Sequence, residues 1–131
     1  MGSQNSTNFI NLEEIPIEKS LYSYEVILSN IYKDNKTDTN LDILNFFKKD
    51  NKYKLKLYPS CLSIKNDIKK FNFDYYNILS WYTSENCFSF KTNKKFNYVF
   101  ICDNPVQISN NLKEICLNIK NNTQKFNKSI I

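Results

Sequence analysis

The chain contains no histidine, no arginine, no alanine and a single glycine in 131 residues. The missing histidine removes the usual general base and the commonest metal ligand, and one glycine cannot build the phosphate-cradling loops of Walker or dinucleotide type. Four cysteines, Cys61, Cys87, Cys102 and Cys116, share no C-x-x-C spacing, so neither a zinc site nor a disulfide framework is expected, and they read as reduced, mostly buried thiols. None stands in an electropositive or helix-start setting that would activate it, and the carboxylates form no isolated pair among apolar residues. The expectation is therefore a non-enzyme with no catalytic residues, no metal and no cofactor. No apolar run approaches the ~20 residues of a bilayer-spanning helix, and the N-terminus is polar where a signal peptide is apolar. A cytoplasmic protein is expected.

What the chain does contain is asparagine, lysine, isoleucine and large rings. Hydrophobic residues make up 41% and aromatics 15%, enough side chain for the core of one domain. The net charge of +5 comes from lysine alone. The same bias that favours lysine and asparagine looks like an A+T-rich genome, which weakens any argument from charge by itself.

Residues 1–20 read as a polar, then acidic lead-in, 21–122 as the domain and 123–131 as a polar tail. Within the domain, Tyr22, Tyr24, Val26 and Leu28 alternate with Ser23, Glu25, Ile27 and Ser29, the period of a half-buried strand. Asp38, Thr39 and Asn40 offer N-cap oxygens to a short helix through Leu41, Ile43, Leu44 and Phe47. Strand periodicity returns with Tyr53, Leu55 and Leu57 facing one way and Lys52, Lys54 and Lys56 the other. Short strand signals follow at Leu62 and Ile64, at Phe71 and Phe73, at Ile78 to Trp81, at Phe88 and Phe90, and along the apolar run Tyr98 to Cys102. The turns between them lack glycine, so asparagine is expected to supply positive φ. A helix closes the domain: Asn104 as cap, Pro105 in the first turn, Gln107 completing a capping box, and Ile108, Leu112, Ile115 and Ile119 as one apolar stripe. Antiparallel strands followed by one amphipathic helix imply an α+β sandwich or capped barrel.

This order of elements resembles the PH-like superfold, and Tyr53 to Lys120 is most similar to the third, PH-like lobe of FERM domains. The residues that carry the likeness are Phe73-Asp74-Tyr75-Tyr76-Asn77-Ile78-Leu79-Ser80-Trp81, then Cys87-Phe88-Ser89-Phe90, then Asn97 to Cys102 and the helix from Pro105. The resemblance implies a PH-like, seven-stranded antiparallel sandwich or barrel capped by a C-terminal helix. It also implies a peptide groove along an edge at Asn97 to Cys102, with Tyr98 and Phe100 on the strand and Gln107, Asn110 and Asn111 on the helix. The missing arginine departs from the basic signature of phosphoinositide-binding PH domains.

Further candidates come from the residues themselves. Met1-Gly2-Ser3-Gln4-Asn5-Ser6 fits the N-myristoylation pattern with Gly2 as the acylated residue; Met-Gly-Ser is equally a common vector-derived start. One acyl chain attaches a protein only reversibly, so lysines or a protein partner would supply a second signal. Lys52, Lys54 and Lys56 are the candidate contacts to anionic lipid, against the plainer reading of a solvated sheet face. Phe71, Phe73, Trp81, Phe88, Phe90 and Phe100 read as core, and Tyr75 and Tyr76 as exposed contact residues. The leading expectation is a membrane-associated adaptor, peripheral on a cytoplasmic leaflet, that binds a protein segment or peptide. The alternative is a PH-type module for anionic headgroups, and single-stranded nucleic acid is the least favoured partner because the aromatics follow core periodicity.

Overall fold

The computed structural model describes residues 18–33 and 41–130. In chain order the elements are β1 (Tyr22–Lys33), α1 (Leu41–Phe46), β2 (Lys52–Leu57), β3 (Cys61–Lys65), β4 (Lys70–Asp74), a 3-10 turn (Tyr75–Asn77), β5 (Ile78–Ser84), β6 (Cys87–Thr92), β7 (Phe96–Ile101) and α2 (Pro105–Ile130). The strands form one antiparallel sheet in the order β4-β3-β2-β1-β7-β6-β5. It does not close into a barrel: β4 and β5 are its two edges, and the sheet folds over into an α+β sandwich capped by α2.

The fold-over is built into β1. Its first half, Tyr22 to Ile27, pairs with β2, and its second half, Ile27 to Lys33, pairs with β7. The register slips between Leu28 and Asn30, so Ser29 is an extra residue, and a bulge of this kind bends a strand and sharpens its twist. It also shifts the phase. Val26 and Leu28 are buried before the bulge, and Ile31, not Asn30, packs against the core after it.

One half-sheet contributes Leu55, Leu57, Leu62 and Ile64 to the core, the other Phe88, Phe90, Phe96, Tyr98 and Phe100. The halves meet through rings: Phe73 lies 5.2 Å from Phe90 and 5.1 Å from Tyr98. With neither alanine nor interior glycine available, large rings interlock to fill the space that smaller residues would leave.

Two helices plug the openings. The end of α1 inserts Phe46 and the residue after it, Phe47, which alone contacts Tyr53, Phe71, Tyr98 and Phe100. The Tyr53 hydroxyl donates to the Phe46 carbonyl at 2.9 Å and accepts the Lys48 N–H at 2.8 Å, which satisfies the end of a helix too short to stand alone. α2 buries Ile108, Leu112 and Ile115, the stripe that its sequence spacing announced. Each such burial contributes about 1.5–3 kcal/mol. The helix continues past Asn122 to Ile130, so the stretch expected as a polar tail prolongs it.

Several expectations change. Asparagine does not supply the positive φ: among the described residues the non-glycine positions that do are Asp50 and Lys95. Asn66 works through its side chain instead, its Oδ1 accepting the N–H groups of Ile68 and Lys69, each at 2.9 Å. Tyr75, expected at the surface, is buried, and its hydroxyl donates to the Tyr58 carbonyl at 2.6 Å; Tyr76 is exposed. Both belong to the 3-10 turn that separates the strand at Phe71 and Phe73 from the one that starts at Ile78. Of the cysteines, all free, only Cys102 is buried and the other three are half-buried.

Phe47→Ala is expected to cost about 3–5 kcal/mol in urea unfolding. Tyr53→Phe keeps the ring but strands a carbonyl and an N–H, and should cost about 1–3 kcal/mol. Burial pushes the Tyr75 and Tyr98 phenols well above the ordinary tyrosine range. Above a pH of about 10 an unfolded tyrosine loses its proton while these two keep theirs, so the folded state binds more protons and stability falls as pH rises further. Tyrosinate absorbance should show phenols that ionise only on unfolding; the melting temperature should begin to fall near a pH of about 8.5, where unfolded thiols lose protons that Cys61, Cys102 and Cys116 keep, and fall more steeply above about 10.

Candidate functional site

The predicted groove does not exist where the resemblance placed it. β7 pairs with β1 on one side and β6 on the other, so Asn97 to Cys102 is no edge. Tyr98 and Phe100 are fully buried and present nothing to a partner. Asn111 turns to the other flank of α2, where its Nδ2 donates to the Tyr24 hydroxyl on β1. Gln107 and Asn110 are exposed. The apolar run Tyr98 to Cys102 does not report those neighbours: Tyr98 and Phe100 face the core, while Val99 is half-buried and Ile101 exposed on the outer face.

The edge beside the C-terminal helix is β5. The Trp81 indole Nε1 donates to Ser109 Oγ on α2 at 3.1 Å, and Cys116, further along the helix, packs against the core cluster that includes Tyr75. The helix therefore runs alongside the segment from Tyr75 to Trp81. An edge strand presents a row of unpaired N–H and C=O groups, which natural sheets usually guard with charge. The edge at β4, Lys-Phe-Asn-Phe-Asp, ends in Lys70 and Asp74. β5, Ile-Leu-Ser-Trp-Tyr-Thr-Ser, carries no charge at all. Its Leu79 and Tyr82 are 55% and 61% exposed, and Val106 and Leu117 on α2 are exposed as well. A register slip between Ile78 and Ser80 interrupts only its start; Ser80 to Ser84 pairs regularly with Lys91 to Cys87. The one sequence signal for this edge was the run of seven uncharged residues in a lysine-rich chain.

The predicted lysine face is real. Lys52 and Lys54 are exposed and Lys56 half-buried on the outer side of β2, opposite Tyr53, Leu55 and Leu57. Lys54 pairs across to Glu25 on β1 and to Lys65 on β3. A surface hollow of about 370 Å³ lies there, lined by Glu25, Lys52, Lys54, Lys65, Asn66 and Asp67. Lys65 and Ile68 at the next hairpin belong to the same end of the sheet and had no periodicity to mark them.

Gly2 lies outside the described residues. Burial pushes the thiols of Cys61, Cys102 and Cys116 up, which disfavours the thiolate. Among the described residues no helix is long and apolar enough to cross a membrane.

No family model and no curated protein matches the chain. Among solved structures it is similar to the C-terminal domain of an unknown protein from Leishmania infantum, with a TM-score of 0.54 and 15% identity over 83% of this chain and 91% of that one. At that identity the likeness is one of fold.

Proposed function

We propose that the chain is a non-catalytic adaptor module that receives an extended protein segment along the β5 edge beside α2. The observation that carries this reading is the contrast between the two edges, one charged and one bare. A segment added to β5 would gain main-chain hydrogen bonds from Ser80 to Ser84, and its alternate side chains would meet Leu79, Tyr82 and the exposed apolar groups of α2. The strand order and the C-terminal helix also support the PH-like reading, including its likeness to the third lobe of FERM domains. Attachment to a cytoplasmic leaflet through an acyl chain on Gly2 belongs to the same proposal, with the protein partner or lysines as the second signal.

The chain carries its own reporter, because Trp81 is its only tryptophan and sits between β5 and α2. Peptides selected from a random display library on the immobilised protein should change Trp81 emission saturably and shift the amides of β5 and α2. Tyr82→Lys, at an exposed position where substitutions barely affect stability, should weaken that binding at least tenfold. Selection of no peptide, or shifts confined to the β4 edge, would end this reading.

A further inference from the structure

The turn between β3 and β4 combines features that the fold itself does not require. Ile68 at its tip is 91% exposed, the highest value among the described large apolar residues. The backbone around it is held, not loose: Asn66 Oδ1 accepts from Ile68 and Lys69, and the Asn66 N–H donates to the Lys69 carbonyl at 3.1 Å. Directly behind the tip, Lys54, Lys65 and Lys70 stand opposite one another across three adjacent strands. Like charges in that position destabilise a sheet. Lys70 is drawn aside over the Tyr58 ring at 5.6 Å, which leaves Lys54 and Lys65 facing the hollow they share with Lys52. Glu25 and Asp67 offset only part of this charge. On the other flank of Ile68 a second hollow, about 310 Å³, is lined by Asn45, Phe46 and Lys69.

We infer that the β3–β4 hairpin docks on an anionic lipid bilayer, with Ile68 entering the interface and Lys52, Lys54 and Lys65 over the headgroup phosphates. A preformed tip enters without an ordering cost. The apolar finger selects the partner. Phosphates of a nucleic acid would engage the lysines yet gain nothing from an isoleucine in front of them, and a single exposed isoleucine is too little apolar surface to anchor a protein interface. A bilayer interface accepts the apolar tip and the lysines together. This deepens the membrane half of the proposal above and does not involve the β5 edge or Gly2.

The test uses the full chain made without acyltransferase, so that no lipid on Gly2 contributes, sedimented with sucrose-loaded vesicles. Binding is expected to vesicles of phosphatidylserine with phosphatidylcholine, not to phosphatidylcholine alone, and should weaken steeply with salt. Ile68→Ser should reduce it roughly tenfold, and Lys54→Glu with Lys65→Glu by more than roughly tenfold, both variants keeping the parent melting temperature within a few degrees. Undiminished binding by Ile68→Ser would remove the inserted tip. No binding to phosphatidylserine vesicles at low salt, or tighter binding to single-stranded DNA than to vesicles, would overturn the bilayer as partner. Trp81 titrations with selected peptides are untouched by any of these outcomes, so the two proposals fail separately.

Discussion

The seating of the α2 stripe on the inner face of the folded sheet is the contact on which the rest depends. Ile108, Leu112 and Ile115 enter the core, and two hydrogen bonds flank them: Ser109 with Trp81 on β5, Asn111 with Tyr24 on β1. Burial alone is non-directional and would allow the rod to roll. The polar pair on either side fixes its rotation, and with it the relation between the helix and the β5 edge.

The opposite opening is closed by a different device. α1 is too short to be stable alone, and it is held by what its rings touch and by the Tyr53 hydroxyl at its end. Composition explains this solution. In a chain without alanine and with one glycine, close approach of backbones is not the way to fill a sandwich, so interlocked rings do it. The bulge at Ser29 belongs with them, because only a bent β1 brings Phe73 against Phe90 and Tyr98.

Much of this was readable from periodicity. Alternation in Tyr22 to Leu28 and Lys52 to Leu57, and the helical stripe from Ile108, each report which face is buried, because burial is what selects the pattern. Periodicity says nothing about neighbours, and the edge at Asn97 to Cys102 that the PH-like resemblance implies is a strand paired on both sides. The uncharged stretch Ile78 to Ser84 held that information in another form, as an unguarded margin. Tyr75 was misplaced because its burial rests on a long-range hydrogen bond to the Tyr58 carbonyl, which no local pattern encodes. Positive φ falls at Asp50, a residue type that tolerates it, and at Lys95, where a tight connection overrides residue preference.

Among the described residues the geometry leaves one margin of the sheet unpaired beside a fixed helix, and the proposed docking of a segment rests on that margin. Amide hydrogen exchange on the free protein tests that claim most directly. The account predicts slow exchange along the whole of β7, and in β5 an alternation in which amides bonded to β6 are protected while those facing outward exchange at loop-like rates. Uniform protection of Ser80 to Ser84 at the level of β7 would mean that another segment already covers that margin, and the account would be wrong.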